Sequence, residues 1–506
     1  MPRLPLPSLT LSLPALLLAQ TALADVTAAE VWGDWKSYMQ TMGYTLEATE
    51  TAQGDDLTIS GLTVSMQMPD NAGAMAMSLG DITFAQDGAA VNVLLPDSLP
   101  LTIDVTPAGD DGKPARLDFR VDQTGQTLRV SGDPQNMAYA YAADSMDLSL
   151  AELTVDGQNY GAANAKVNVS ATTLTSDTAM TAGDLRSYRQ TGGIDSLSYD
   201  ILIDNPFEPV KLALQGAISG IAFDGGGSIP TAVDTADMAA MLAAGFAVEG
   251  NFTYASGNSD VAVTDPSGGD FSTITSSQGG RLGISMAADR LAYTAEQNDV
   301  KVNMTIAQLP FPIDFSVARG GGVFSMPLSA GADPQDFALG LTMAEFTMSD
   351  MIWSLFDPTQ QLPRDPATIE LDLTGQATLA IDVMDPAAAA GAVQPGQVNA
   401  LDIRTLLVDA VGARLEGNGA ITFDNSDLAT YNGMPKPVGT INLALAGGNA
   451  LMDKLVAMGL LPEEQAMGAR MMMGLFAVPG DAPDTLKSTV EFNAEGQVLA
   501  NGQRIR

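Results

Sequence analysis

Apolar residues recur at every second position through most of the chain, the period of a strand with one buried face. Leu197, Tyr199, Ile201 and Ile203 alternate with mostly polar residues, and so do Val300, Val302, Met304 and Ile306. Near the start, Leu57 and Ile59 change phase at Gly61 before Leu62, Val64, Met66 and Met68. A bulge at that glycine would keep both halves facing the core. Ile369, Leu371 and Leu373 alternate, pause at Gly375-Gln376 and resume at Ala377, Leu379, Ile381 and Val383, which predicts a hairpin. A second hairpin is predicted at the chain's end from Val490 and Phe492, a turn at Ala494-Glu495-Gly496, and Val498.

Helical periodicity is confined to a few segments. Thr27-Ala28-Ala29-Glu30 has the form of a capping box, followed by Val31, Trp32, Trp35, Tyr38, Met39 and Met42 on one stripe. A middle helix is predicted from about Asp234, with Met238, Met241 and Leu242, stopping at Gly245. Two more follow near the end. Leu451, Met452, Leu455 and Val456 form one stripe, and Pro462 with Glu463 and Glu464 opens the next, which carries Met467, Met471, Met472, Leu475 and Phe476.

These elements define a mainly β (β-rich α+β) protein: a large, elongated, twisted antiparallel meander with a few amphipathic helices. No fixed repeat period marks a solenoid. Residues 25–230 and 231–506 are readable as two β-rich halves, divided at the middle helix, or as one continuous body. Asp385 to Gln397, with its Ala387–Ala390 run between prolines, reads as a surface linker. Gly225-Gly226-Gly227 and Gly320-Gly321-Gly322 are expected as turns or strand kinks, because neither has the Gly-Lys-Ser/Thr continuation of a phosphate loop.

Composition then narrows the chemistry. The 506 residues include no histidine and no cysteine. Most general-base, thiolate and transition-metal chemistry is thereby removed. There is no Gly-x-Ser-x-Gly elbow and no Ser-x-x-Lys pair. The expectation is a protein that is not an enzyme, with no catalytic, cofactor-binding or metal residues and no cofactor. Asp424-Asn425-Ser426-Asp427 and the Asp265 to Asp270 turn are the best calcium candidates, but they read first as Asx turns and lack an EF-hand's ligand spacing. A pair of acids can hydrolyse a glycosidic bond, so a carboxylate-based glycan hydrolase is the enzyme alternative. The 26 methionines, clustered at Met75 to Met77 and Met471-Met472-Met473, read first as core and second as an adaptable apolar groove.

Sixty acidic against 23 basic residues give a formal charge of −37. Such a chain repels nucleic acid and anionic headgroups. Residues 1–24 resemble a secretory signal: Arg3, an apolar run over Leu9 to Ala19, and Ala22-Leu23-Ala24 as the small-x-small site. The expected location is the periplasm, with no transmembrane anchor in the mature chain. Disulfides would be permitted there. Without any cysteine, stability must come from the core.

The stretch Met351-Ile352-Trp353-Ser354-Leu355-Phe356-Asp357-Pro358, with Gln361-Leu362-Pro363-Arg364-Asp365-Pro366, resembles the domain-of-unknown-function 2125 family. So do the block from Gly417 through Tyr431-Asn432-Gly433 to Pro479-Gly480, the Trp32/Trp35 helix and Gly43-Tyr44. The resemblance implies an exported protein of Gram-negative bacteria over essentially the whole mature chain, with long sheets similar to AsmA-like envelope proteins associated with lipid traffic or outer-membrane assembly. It brings no catalytic residues. Trp32, Trp35 and Trp353 are expected as packing anchors.

Three readings of function follow: a non-enzymatic envelope protein binding a hydrophobic ligand or lipid in an apolar groove, a glycan hydrolase, or a structural or adaptor protein of the envelope. An outer-membrane barrel fits poorly, since aromatics are only 6% and helices interrupt the strands. Cleavage after Ala24 predicts Asp25 as the first residue of the exported chain, which an intact mass will show.

Overall fold

The computed structural model describes residues 25–506 apart from 69–71, 110–111, 205–208, 235–236, 386–387, 389 and 391–393. Residues 1–24, expected to be a secretory signal, and much of the linker expected between Asp385 and Gln397 lie outside the described residues. Twenty-eight strands join in one sheet among the described residues. Neighbours are antiparallel and mostly consecutive in sequence. Among the described residues the sheet is accompanied by α1 (Ala28–Thr41), α2 (Met238–Ala243), α3 (Asp350–Trp353), α4 (Gly448–Ala457) and α5 (Glu463–Phe476). Hydrogen bonding is unbroken past residue 230, since the strand Lys211–Pro230 pairs with both Ala247–Tyr254 and Ser256–Thr264.

A line of kinks crosses the sheet and divides each long strand in two. In the strand Asp56–Gln67 the register slips at Gly61, whose φ is +61°. Leu57 and Ile59 before it and Leu62 and Val64 after it all enter one hydrophobic cluster. The bulge therefore resets the side-chain phase and keeps both halves on one face, as their alternation predicts.

The same device recurs where the sequence pattern had shown only half of each strand. Thr173, Gly220 and Asp299 take φ between +47° and +59° near the middle of long strands, and Glu345 takes φ +54° three residues before the end of Gln335–Met348. Apolar residues change parity at each. In Leu185–Asp204 the series Tyr188, Gly192, Ile194 becomes Leu197, Tyr199, Ile201, and in Arg290–Ile306 the series Leu291, Tyr293 becomes Val300, Val302, Met304. Where a layer consists of shorter strands, it breaks at this same line. The strand Asn136–Val155, for example, pairs with Thr127–Asp133 on one side of the line and with Ala115–Thr124 on the other.

Apolar residues beside the line are buried, with Ala143 at 4%, Ala171 at 6% and Ile221 at 6% exposed. Ile203, far from it on the same face, is 47% exposed. The sheet is thus folded along the kink line with its apolar face inward, as a trough. The opposite face carries the charged pairs, such as Lys166–Asp200, Arg189–Glu249 and Arg319–Glu370.

One hairpin expectation is corrected. Ala367–Leu379 is a single strand running straight through Gly375-Gln376, which pair with Phe337 and Asp336 on one side and Leu401 and Ala400 on the other. The glycine serves close approach rather than a turn: a Cβ there would collide with the Phe337 ring and the Ala400 carbonyl. Ile381 and Val383 lie beyond the strand's end. The closing hairpin forms as expected, with Phe492 opposite Val498 and Gly496 at φ +78°. Both triple-glycine runs sit inside strands, in Lys211–Pro230 and Ile313–Pro327.

The densest packing is at the N-terminal end. The capping box is formed: Glu30 N–H donates to Thr27 Oγ1 at 3.3 Å, and Thr27 N–H donates to Glu30 Oε2 at 2.9 Å. This sets α1 across the trough, where Val31 and Trp32 are buried against Ile59, Phe84, Val91 and Val130. Trp32 satisfies its indole N–H on Glu50 Oε1 at 2.9 Å, and Trp35 meets Phe84 edge-on at 5.3 Å. Phe84 is fully buried between the two tryptophans. Phe84→Ala should destabilise this end by about 3–5 kcal/mol, measured by urea unfolding followed through tryptophan fluorescence.

Candidate functional site

Between α1 and the C-terminal helices, the apolar face carries rows of exposed side chains among the described residues. Directly paired residues point to the same side of a sheet, so register defines rows across it. One row runs Ile284, Tyr293, Phe324, Leu339, Leu373, Ile403. The next runs Leu282, Ala295, Gly322, Leu341, Leu371, Leu406. Six consecutive strands therefore present large apolar side chains side by side. Leu282 and Leu341 are both 52% exposed, and Tyr293, Phe324 and Leu339 are 40–45% exposed. A contiguous exposed apolar surface of this kind is the feature that interaction sites present.

Helices stand at both ends of the trough. At the C-terminal end, Ser488, which pairs with Leu443 on the apolar face, donates its hydroxyl to the Phe476 carbonyl at 2.6 Å, seating the end of α5 there. Only Ala466 of α5 is buried. Met467 (65%), Met471 (72%) and Leu475 (53%), one turn apart, are exposed. The core reading is corrected for Met467, Met471 and Met472, which are exposed, while Ala466 is buried and Met473 and Phe476 are half-buried.

At the N-terminal end, α1 roofs a cleft of about 610 Å³. Trp35, Tyr38 and Met39 descend from the helix, and Tyr139, Met180 and Tyr188 rise from the sheet. An ion pair ties roof to floor. Arg186 lies two residues from Tyr188 on the apolar face, and its two terminal nitrogens reach the two carboxylate oxygens of Asp34 at 2.5 and 2.7 Å. The side chains are only 15% and 9% exposed, whereas the strand pairs of the polar face are roughly 30–60% exposed. The guanidinium stacks 4.8 Å from the Tyr38 ring centre, and Tyr139 donates to Asp34 Oδ2 at 3.4 Å. Burial first, then the neighbouring Asp34 charge, pushes the Tyr139 hydroxyl up in pKa, and burial does the same to Tyr188. Both stay neutral donors near pH 7.

Neither Asp34 nor Arg186 stands out by motif. Their signal is positional: Asp34 lies on the helical stripe between Val31 and Tyr38, and Arg186 shares the strand phase of Tyr188, Gly192 and Ile194. A charge in an apolar register is expensive unless paired.

The acidic turns are occupied by their own chain. Asp424 accepts from the N–H and hydroxyl of Ser426, Asp427 from those of Thr430, and Lys436 lies 3.9 and 3.4 Å from the two carboxylates. Asp265 accepts from Ser267 in the same way. These bonds hold all three carboxyls below their usual pKa. Among the described residues no three acidic side chains converge as a metal site.

The Trp353 motif is a folded knot. Asp357 is wholly buried and accepts from the backbone N–H of Gln361 and Leu362, both at 2.9 Å. Burial pushes its carboxyl up, but those N–H groups and the Arg364 charge together hold it below the ordinary range. Arg364 also stacks on Trp353 and pairs with Asp350. Trp353 is 8% exposed. The tryptophan anchors here, as Trp32 does in α1, while Trp35 packs on Phe84 and also lines the cleft.

Residues 236–505 match the family described as an uncharacterized protein conserved in bacteria (DUF2125). The chain belongs to this family. The match takes in the Trp353 knot, the Tyr431-Asn432-Gly433 turn and Pro479-Gly480, and does not reach α1 or Gly43-Tyr44. No curated protein and no solved structure matches the chain.

Removing one partner of a buried ion pair leaves an uncompensated charge. Asp34→Ala should cost about 3–5 kcal/mol in chemical unfolding, and adding Arg186→Met should recover most of it.

Proposed function

We propose that this chain is a non-enzymatic, exported envelope protein that holds the acyl chain of a lipid or similar hydrophobic ligand in its trough. The observation carrying this reading is the uncovered apolar face across six consecutive strands. Dispersion and water exclusion reward any alkyl chain laid along those rows, at about 25 cal/mol per Å² of apolar surface covered. The trough is open along its length, which suits a long flexible ligand better than a compact polar one. Its walls in this region offer Leu, Ile, Phe and Tyr side chains, which favour an apolar ligand over a glycan.

An exported location accords with the segment ending at Ala22-Leu23-Ala24 and with a fold that uses no thiol. A periplasmic protein with an open apolar face would work beside membranes that supply and accept lipid. The −37 charge keeps the polar face from adhering to anionic headgroups, so the ligand rather than the bilayer surface is engaged.

Protein isolated gently from the periplasm of its own host should carry lipid masses in native mass spectrometry. Leu282→Glu combined with Leu341→Glu should reduce the bound lipid at least tenfold. Both side chains are about half exposed, so melting should move only a few degrees. A wild-type protein that emerges lipid-free would overturn the reading.

A further inference from the structure

The cleft beneath α1 differs from the rest of the trough because Arg186, the lining member of a buried, net-neutral ion pair, opens into it among several aromatic rings and the polar Thr178 and Gln190. Resting on the reading that the trough takes an alkyl chain, we infer that this cleft is a headgroup site for a zwitterionic amphiphile, one bearing an ammonium and a phosphate.

Each half of such a headgroup has a partner. Asp34 takes one N–H from each terminal nitrogen of Arg186. The Nε–H and the outer hydrogens of those nitrogens remain to meet a phosphate without breaking the pair. An ammonium is drawn to the faces of electron-rich rings within about 6 Å of their centres. Trp35 of the helix and Tyr139 and Tyr188 of the sheet line the cleft from opposite walls. The Arg186 guanidinium already uses the Tyr38 ring in this way at 4.8 Å. Asp34 lies behind Arg186, within reach of the Tyr139 hydroxyl at 3.4 Å, and supplies negative charge next to that ring.

A purely anionic headgroup fits less well. Asp34 has already offset the Arg186 charge, and the chain's −37 field repels an approaching anion. A zwitterion carries no net charge into that field and matches the dipole of the pair. The volume agrees: about 610 Å³ falls within the roughly 300–1,000 Å³ of small-ligand sites. The tail has an exit, because Tyr139 and Tyr188 stand on the same sheet face as the apolar rows.

The test is calorimetric titration of the full mature chain with dodecylphosphocholine, dodecyl phosphate and dodecyl maltoside, each below its micelle concentration, and with phosphocholine lacking a tail. Dodecylphosphocholine should bind at least tenfold more tightly than the other three. Tyr188→Leu should cut that preference at least fivefold while dodecyl maltoside affinity stays within twofold. Arg186→Gln should do the same where it remains folded, and Tyr188→Leu decides the matter where it does not. Equal affinity for the three detergents, preference for dodecyl phosphate, tail-independent binding, or a preference untouched by Tyr188→Leu would overturn the headgroup site and leave the trough standing. Failure of every alkyl detergent to bind would instead overturn the trough reading itself.

Discussion

Antiparallel strands of 17–20 residues twist as they run, and the twist carries a side-chain face round the strand axis. The kinks at Gly61, Thr173, Gly220, Asp299 and Glu345 meet that constraint by resetting the side-chain phase once per strand. Each long strand can then bend about the kink while Leu, Ile and Val stay on the inner side. The buried rows beside the line, the exposed rows away from it and the trough between them all follow from this one backbone event. Non-glycine residues in the left-handed region cost of order 1–3 kcal/mol each. Their repetition at one level across the sheet shows that neighbouring strands enforce the bend together.

A trough this open has little core per residue, and stability is distributed accordingly. The hydrophobic cluster gathers where α1 closes the N-terminal end, around Trp32, Ile59, Phe84, Val91 and Val130. Farther along, each strand is supported mainly by its two neighbours and by its hydrogen-bond ladder, much as repeat proteins are. The Trp353 knot and the seat of Phe476 on Ser488 act as local fasteners along that length. In a chain without disulfides, these fasteners and α1 are what resist unravelling.

Much of this was legible from alternation alone. The β class, the bulge at Gly61, the capping box, the closing hairpin and the first and last two helices follow from local rules, and the structure has them; the middle helix starts at Met238 rather than about Asp234, and α3 was not expected. The trough was not legible, for a specific reason. A phase reset at Thr173 or Asp299 breaks a 17-residue pattern into two short ones, so Val300–Ile306 reads as a whole strand when it is half of one. Gly375 misleads in the opposite sense, since a glycine hosting the Phe337 ring looks in sequence like a turn. Asp34 and Arg186 were legible in principle as charges in apolar registers, but their partnership joins residues 152 apart in sequence and needs the fold to reveal it.

An open sheet with a bare apolar face invites a second copy to stack on it, and its edges invite further strands. The composition opposes both. The first edge strand, Thr45–Gln53, is exposed almost throughout and carries Glu47 and Glu50, and the last, Gln503–Arg504, is two residues long. Two copies meeting face to face would each bring the full −37 charge, whereas an uncharged alkyl chain meets no such barrier. Acidity on the outside and a kinked, uncovered apolar inside therefore act as one arrangement. On the proposed reading, that acidity disfavours stacking of two copies and leaves the face open to a small hydrophobic guest.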